Sequence, residues 1–397
     1  MKNKILSFAV IFSTLAAYSQ DKWAQLANFS GLNRSNAVSF VIGSKVYVGT
    51  GYNGTTYCKD FYEYDPAKNQ WSKKADFPGD ARDEAVAFAI GNKGYIGTGI
   101  SVISGKYKYY RDFWEFNPSS NQWTKKADLP DKSRYSAVAF SIGDKGYVGT
   151  GVDSLYNKLN DFWEYDTTAN AWTKKKDYAG LKTYMASSFS IGSKGYVGLG
   201  HSGVDYKKDL WEYDPLTNEW TQKADFGGKA RANAFEFAIG NYAYVGMGND
   251  GFMPYYQKDV WEYDAINNQW TARANYSGTA RSSSFSFAID SKGYMGGGFT
   301  GSYKNDFWGY TPPTLVAELE HVAVKTKVSL LNNPIHDKII LTNVSEIHRA
   351  ELFNTFGQSV WSGKNIESTD FSFLENGLYY LTVSDALDSH FFKVQKN

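Results

Sequence analysis

The chain has 397 residues, of which 21% are charged and 42% hydrophobic, and its 42 Lys and Arg against 41 Asp and Glu leave a formal net charge of +1. That length holds one large domain or a few small ones, and the even charge balance, with no long Lys/Arg run, indicates neither a nucleic-acid footprint nor a funnel for acidic substrates. Aromatics at 17% together with 37 Gly point to many short strands joined by tight turns.

At the N-terminus, MKNKILSFAVIFSTLAAYSQ places Lys2 and Lys4 ahead of an apolar run from Ile5 to Ala17, followed by small residues suited to a signal peptidase. This is the pattern of a secretory signal peptide over residues 1–20, and it predicts a secreted chain whose mature form starts near Gln20. The run is too short to span a bilayer, and no later stretch approaches the ~20 apolar residues of a transmembrane helix. No transmembrane segment is therefore expected in the mature chain. The single cysteine, Cys58, can form neither an internal disulfide nor a cysteine-rich metal site and reads as a loop thiol of no special role.

From Lys59 a motif begins to return. KDFYEYDPAKNQW, Lys59 to Trp71, recurs as RDFWEFNPSSNQW, NDFWEYDTTANAW, KDLWEYDPLTNEW and KDVWEYDAINNQW and ends truncated as NDFWGY, with a period of about fifty residues. An upstream block such as SAVAFSIGDKGYVGTG, Ser136 to Gly151, recurs with it and closes on Gly51, Gly99, Gly151, Gly200, Gly248 and Gly298, which makes six units. Within a unit, small residues (Ala137, Ala139, Ser141) alternate with large ones (Val138, Phe140, Ile142), then a Gly-led turn leads into KGYVGTG, which predicts a hairpin. DFWEYD is a third strand, Asp-Pro with Asn a turn, and WTKKAD a fourth strand. A four-stranded unit of ~50 residues buries little alone, so the units must pack face to face, and packing around an axis leaves only short, protected edges.

The Gly-ended second strand, the Tyr before it, the Glu-Tyr-Asp turn and the Trp some six residues beyond resemble the kelch repeat. The resemblance implies an all-β chain with a six-bladed β-propeller over residues 21–312. One departure is visible: kelch units usually close the second strand on two adjacent glycines, whereas Thr50, Thr98, Thr150, Leu199 and Met247 here stand between two, and only Gly297-Gly298 supplies the doublet. The chain opens on a lone fourth-strand segment, Trp23 to Asn28, and the last unit lacks one after Tyr310, so the N-terminal strand is expected to complete the last blade and remove open edges.

Asp60 recurs as Asp112, Asp161, Asp209, Asp259 and Asp306, and Glu63 recurs in five units before becoming Gly309. A residue present in every unit serves every unit, whereas a catalytic group is needed once. These acids are therefore expected to hold loops or arginines, and Asp65 and its equivalents to build Asx turns. Eleven residues past each Trp stands Arg34, Arg82, Arg134, Arg231 or Arg281, with Thr183 breaking the series in the fourth unit. Two readings of these arginines are open: pairing with aspartates between blades, or a cationic mouth that grips an acidic ligand by two-point hydrogen bonding.

The loops between second and third strands vary in length and are rich in rings. Loops that vary on a rigid scaffold are where recognition concentrates, and tyrosine gives stiff contact area with a polar tip, suited to sugars or protein surfaces. Tyr57, Tyr109, Tyr110, Tyr156, His201, Tyr206, Tyr255, Tyr256 and Tyr303 are the ligand-binding candidates, set against the alternative that such rings only cover blade tops. Two carboxylates lack counterparts. Glu236 stands where other units have Ser39, Ala87, Ala139, Ser188 and Ser286, and Glu84 where they have Asn36, Ser136, Met185, Asn233 and Ser283. A lone Glu near the axis must be hydrated or paired, because burying it unpaired is costly; these two are the candidate catalytic acids.

Thr311-Pro312-Pro313 ends the repeat, a linker spans 313–327, and residues 328–397 change pattern. Short strands KIIL, AELFN, LYYLTV and HFFKV between Asn/Gly/Ser turns predict a small Ig-like β-sandwich of ~70 residues. The order LNNP, LFNTFGQSV, FLENGLYYLTV, FKVQKN resembles the C-terminal sorting domain of the type IX secretion system of Bacteroidota, with Leu331-Asn332-Asn333-Pro334 in place of the usual Tyr-Pro-Asn-Pro-like opening. The resemblance implies export to the periplasm and passage across the outer membrane, with the secretion machinery as this domain's partner. A generic carbohydrate-binding or spacer sandwich is the alternative.

Together these features predict a secreted or surface-displayed binding module that recognises a glycan or a protein through the loop face, with no cofactor and no metal. Some six-bladed kelch propellers isomerise sialic acids, and the resemblance implies that alternative too, with Glu84, Glu236 and the arginines as acid-base and carboxylate-holding groups. A galactose-oxidase-like copper site is disfavoured, since the propeller region holds only His201 and Cys58 has no flanking ligands.

Overall fold

The computed structural model describes residues 21–313, 329–330, 332–342, 347, 349–384 and 389–397. The expected signal peptide, the linker from residue 314 onward and Leu331 lie outside the described residues. The chain divides into two compact units at 317/318.

In the first unit the alternating sequence becomes short strands whose every other residue is buried. Val38–Ile42 buries Val38, Phe40 and Ile42 and leaves Ser39 and Val41 between them half-buried. It pairs antiparallel with Lys45–Gly49, which pairs with Phe61–Asp65 and then Gln70–Lys73, a four-stranded sheet in chain order. Five more sheets repeat this order. The innermost strands Val38–Ile42, Val86–Ile90, Val138–Ile142, Ser187–Ile191, Phe235–Ile239 and Phe285–Ile289 pack each on the next, and the last packs back on the first. Close approach between neighbouring sheets depends on glycine: a Cβ on Gly94 would lie 2.0 Å from the Phe40 ring, and one on Gly293 2.0 Å from Phe237.

A recurrent clamp joins neighbouring sheets. Asn121 accepts the Ala75 N–H at 2.9 Å while the Trp123 indole donates to the Ala75 carbonyl at 3.0 Å. Asn170 and Trp172 hold Ala127, and Asn268 and Trp270 hold Ala224, in the same way. The sixth sheet runs Phe285–Ile289, Lys292–Gly296, Phe307–Thr311 and, from the other end of the chain, Lys22–Gln25, with Trp23 opposite Tyr310. At this seam Asp21 does the work of the Asn, accepting the Ala274 N–H at 2.7 Å, and Trp23 donates to the Ala274 carbonyl.

The second unit is built on one four-stranded antiparallel sheet in the order Ser359–Gly363, Arg349–Asn354, Gly377–Ser384, Ser389–Lys396, with a short ladder of Ser329–Leu330 on Leu341–Thr342. The expected strand KIIL is thus reduced to its last residue. Tyr379, Leu381 and Val383 alternate into a core closed by Ile335, Ile339, Ile366 and Phe371. Asn333 fixes the final strand, accepting from the Gln395 N–H at 2.8 Å and donating to the Lys393 carbonyl at 2.9 Å. Among the described residues no helix is long and apolar enough to cross a membrane.

Candidate functional site

The recurring charges are spent inside the fold. Arg34, Arg82, Arg134, Arg231 and Arg281 are all buried, at 0–1% exposure. Each makes a two-point pair with an aspartate of its own sheet: Arg34 with Asp60 at 2.6 and 2.7 Å, Arg82 with Asp112 at 2.5 and 3.0 Å, Arg231 with Asp259 at 2.6 and 2.8 Å. Arg134–Asp161 and Arg281–Asp306 repeat it. A second Nη1 bond goes to the carbonyl of Thr50, Thr98, Thr150, Met247 or Gly297, and Phe29, Phe77, Phe226 and Tyr276 lie under the guanidinium groups of Arg34, Arg82, Arg231 and Arg281. Burial alone would raise the five carboxyls, but the arginine hydrogen bonds outweigh it and hold Asp60, Asp112, Asp161, Asp259 and Asp306 below the usual carboxylate range. This corrects both sequence expectations for the arginines. They pair within a sheet and not between blades, and they form no cationic mouth, because their forks are already filled.

These bonds also account for the departure from the glycine doublet. Thr50, Thr98, Thr150, Leu199 and Met247 have φ from 54° to 60°, left-handed values that are strained for β-branched Thr, and Gly297 takes the same turn at 63°. Except at Leu199, the turn aims the carbonyl at the arginine, and that charge-assisted bond offsets the strain. In the fourth sheet the set is broken: Thr183 reaches the carbonyls of Leu199 and His201 only at 3.4 Å, and Asp209 keeps the Trp211 indole at 2.8 Å but, among the described residues, joins no ion pair. The Glu63 series is equally internal, with Tyr47 donating to Glu63 at 2.7 Å and Lys74 at 3.0 Å from it. Asp65, Asp166, Asp214 and Asp264 each accept the N–H two residues on, as Asx turns do.

What remains free lies on the loop face, where each unit builds a cross-piece of three paired residues: Ser35-Tyr52-Tyr57, Asp83-Ile100-Tyr109, Tyr135-Val152-Lys158, Tyr184-His201-Tyr206, Ala232-Asn249-Tyr256 and Ser282-Phe299-Tyr303. The third place is Tyr in all but one. Ring contacts run on from unit to unit, Tyr57 to Tyr52 at 4.9 Å, Tyr52 to Tyr303 at 5.8 Å, Tyr303 to Phe299 at 4.9 Å and Phe299 to Tyr256 at 6.2 Å. Tyr109 stacks toward Tyr135 at 5.7 Å, and Tyr156 and Tyr255 stand out at 58% and 48% exposure. Tyr110 is different from the expectation: it is buried, with the Arg82 guanidinium 3.7 Å from its ring centre and its hydroxyl 2.6 Å from that of Ser101. His201 takes hydrogen bonds on Nδ1 from the Gly203 N–H at 3.0 Å and the Tyr184 hydroxyl at 3.2 Å, and burial holds its pKa below the ordinary value, so it is neutral at pH 7. Cys58 is buried within its loop, and burial raises its pKa.

Inside the cross-pieces runs a tighter circle. Asn36, Glu84, Ser136, Met185, Asn233 and Ser283 all have φ between 51° and 58°, and their backbones bond from sheet to sheet, Ser136 N–H to Glu84 O at 3.1 Å, Met185 to Ser136 at 3.1 Å, Asn233 to Met185 at 3.0 Å, Ser283 to Asn233 at 3.0 Å and Asn36 to Ser283 at 2.9 Å. Glu84 Oε2 accepts the Ser136 hydroxyl across the seam, and burial raises its pKa. Deeper along the axis are two cavities of about 230 and 320 Å³ whose walls are mostly Ala and Ser with Phe and Val; Glu236 is the one charged residue of both. Burial pushes Glu236 up to about 8. Glu84 lines neither cavity, so Glu84, Glu236 and the arginines do not converge on one pocket. Asp83, which the sequence reading passed over, stands beside Glu84 where other units have Ser35, Tyr135, Tyr184, Ala232 and Ser282. Among the described residues no group of three or more His, Cys, Asp or Glu could hold a metal ion.

Residues 33–78 match the family model of the Kelch motif, and residues 127–298 match that of the KLHDC2/KLHL20/DRC7 Kelch-repeats domain. The chain therefore contains kelch repeats. Among solved structures, the one titled "Structure of YjhT" superimposes with a TM-score of 0.61 at 19% identity, over 72% of this chain and 96% of that one. At that identity the likeness shows a shared propeller-type fold and nothing of activity. A search of curated proteins finds no match.

Proposed function

We propose that residues 21–312 form a six-bladed kelch propeller that binds an extracellular glycan or protein on its loop face without catalysis. The single observation that supports this is the near-continuous arc of tyrosines at the third place of the cross-pieces, partly exposed and stiffly held, while the recurrent acids and arginines are consumed internally. Tyrosines on such a frame lose little freedom when a ligand seats on them. The sugar-isomerising alternative would need arginines free to hold a substrate carboxylate, and the five arginines already hold aspartates.

The test is a glycan array and a surface pull-down with the full chain. Replacing Tyr57 and Tyr303 together by Ala should weaken the bound ligand by about tenfold or more, the scale of a buried tyrosine anchor. A ligand that ignores both substitutions, or no ligand at all, overturns the proposal.

Residues 1–20 serve in this reading as the signal peptide and 328–397 as an Ig-like type IX sorting domain that takes the chain to the outer surface or beyond. Deleting 328–397 in a host that has the type IX machinery should trap the chain in the periplasm, scored by cell fractionation. Equal recovery outside the cell with and without the tail would sink it.

A further inference from the structure

The large hydrophobic side chains that residues 21–313 expose are segregated. Among the described residues Leu216, Tyr242 and Ile266 stand at the opposite end of the sheets, and all the others lie on the loop face. They crowd the second to fifth units: Val102 and Ile103 on the hairpin of Ile100–Ile103 with Lys106–Tyr109, then Leu155, Val204, and Phe252 beside Met253. Leu155, Val204, Phe252 and Met253 are 74–84% exposed. The loops that carry them abut from unit to unit, since a Cβ on Gly203 would lie 2.8 Å from Lys158 Cε and one on Gly251 2.5 Å from the Tyr206 ring. A soluble surface that gathers its apolar side chains in one place marks an interaction site.

The tips are held outward by polar groups beneath them. In the third unit Asp153, 1% exposed, accepts the Leu155 and Asn157 N–H groups at 2.9 Å each and pairs with Lys132 at 3.1 Å. The fifth unit repeats the device: Asp250, 2% exposed, accepts the Phe252 N–H at 3.1 Å and Gln257 Nε2 at 2.9 Å, with Lys229 at 3.6 Å. In the fourth, the Ser202 hydroxyl accepts the Val204 N–H at 3.3 Å and the Asp205 N–H at 3.0 Å. Such bonded turns keep the apolar side chains in water instead of letting the loops fold back over them. Around the tips stand Lys106, Lys158, Lys182, Lys207 and Lys258, which among the described residues join no ion pair, against two exposed acids of these loops in the same condition, Asp131 and Asp205. The surface is thus apolar at its tips and cationic around them.

We propose that the loop tips of the second to fifth units dock on an anionic phospholipid bilayer, Phe252, Met253, Val204 and Leu155 entering the headgroup layer and the free lysines meeting the lipid phosphates. Charge decides the partner. Protein interfaces are depleted in lysine, whereas at a bilayer surface lysine keeps its charge among the headgroups while its stem lies along apolar neighbours, and apolar area and positive charge add in the binding. The inference goes beyond the glycan-or-protein reading and uses other residues: the linked rings of Tyr57, Tyr52, Tyr303 and Phe299 belong to the first and sixth units.

The test is cosedimentation with vesicles of phosphatidylcholine and of an equal mixture of phosphatidylcholine and phosphatidylglycerol, using the chain from Gln20 onward because the apolar run Ile5 to Ala17 would enter lipid by itself. The mixed vesicles should bind at least about tenfold more tightly than the neutral ones, and added salt should erase most of that difference. Phe252→Ser with Met253→Ser, and separately Lys182→Ala with Lys258→Ala, should each weaken binding to the mixed vesicles by about tenfold or more. All four side chains are exposed, so the melting temperatures should stay at the parent value, which separates lost binding from lost folding. Leu216→Ser with Ile266→Ser at the opposite end, and Tyr57→Ala with Tyr303→Ala, should leave vesicle binding within about twofold. Equal binding to both kinds of vesicle, an equal loss from the Leu216 and Ile266 changes, or no binding overturns the proposal. So does a protein captured in the pull-down and lost with Phe252→Ser and Met253→Ser while vesicles stay unbound. A glycan that still binds through Tyr57 and Tyr303 while vesicles do not leaves the loop-face reading standing and removes this one.

Discussion

Arg82→Ala is expected to destabilise the first unit by about 3–5 kcal/mol, the cost of leaving the other half of a buried ion pair uncompensated. Arg82 is fully buried, gives two N–H groups to Asp112 and one to the Thr98 carbonyl, donates from Nε to the Asp80 carbonyl at 3.0 Å, and lies between the rings of Phe77 and Tyr110. Its loss leaves a desolvated carboxylate, a left-handed Thr98 whose carbonyl has lost its donor, and a cavity between two rings. The protein supplies its own control in the fourth sheet, where Thr183 stands in the arginine's place: Asp209→Asn breaks no ion pair among the described residues and should change stability by less than about 1 kcal/mol. Urea unfolding followed by tryptophan fluorescence reads this cleanly, since of 12 tryptophans all but Trp361 lie in residues 21–313. Equal effects of Arg82→Ala and Asp209→Asn would show that the pair contributes little.

The same pairs set the acid limit. The folded pKa of Asp60, Asp112, Asp161, Asp259 and Asp306 is depressed, so the stability they contribute is present above the unfolded carboxylate range of about 3.9 and is lost as pH falls through the lower folded values. Arg82→Ala should accordingly unfold with a weaker dependence on pH at the acid end than the parent.

The scaffold was legible because repetition multiplies a weak signal. One DFWEYD says little, but its returns fix strand type, order and the seam, and the Asx turns follow from the Asp at a fixed place. Partner choice for the arginines was not legible: Arg34 and Asp60 are 26 residues apart in the chain, and whether a fork meets the aspartate of its own unit or of a neighbour depends on the path of the intervening loop. In the sequence Tyr109 and Tyr110 look alike, but neighbours in an extended segment face opposite ways, and Tyr110 is the one turned under Arg82. Asp83 was missed while its neighbour Glu84 was found. The column Ser35, Asp83, Tyr135, Tyr184, Ala232, Ser282 carries the same signal as the Glu84 column, a lone acid among uncharged residues, but its burial and its unpartnered oxygen belong to the folded state alone.

Trp23→Ala is expected to cost about 3–5 kcal/mol, as large-to-small changes of a buried Trp do, and to release the strand Lys22–Gln25. Trp23 is 9% exposed and packs edge-on against Phe235 at 5.9 Å and Tyr276 at 5.2 Å, and against Tyr310 at 4.9 Å. Trp172 occupies the matching place in the third sheet, against Phe113 at 4.8 Å and Tyr165 at 4.9 Å, so the two truncations remove comparable contacts. The outcomes should still differ. Ala171–Lys174 is tied to Phe162–Asp166 by a tight turn, so its effective concentration at the sheet edge stays high after the ring is lost. Lys22–Gln25 meets Phe307–Thr311 from the opposite end of the chain with no tight turn between them, held by its ladder, by the Asp21 bonds to Ala274 and Tyr310, and by the Leu26 and Phe29 N–H groups on the carbonyls of Phe307 and Asn305 just beyond it. Hydrogen exchange at 307–311 should therefore rise sharply in Trp23→Ala and stay near parent levels at 162–166 in Trp172→Ala, and the bared edge should make the first variant the more prone to aggregate. If 307–311 remains protected while the stability loss matches that of Trp172→Ala, the seam is held by something other than the N-terminal strand's own side chains.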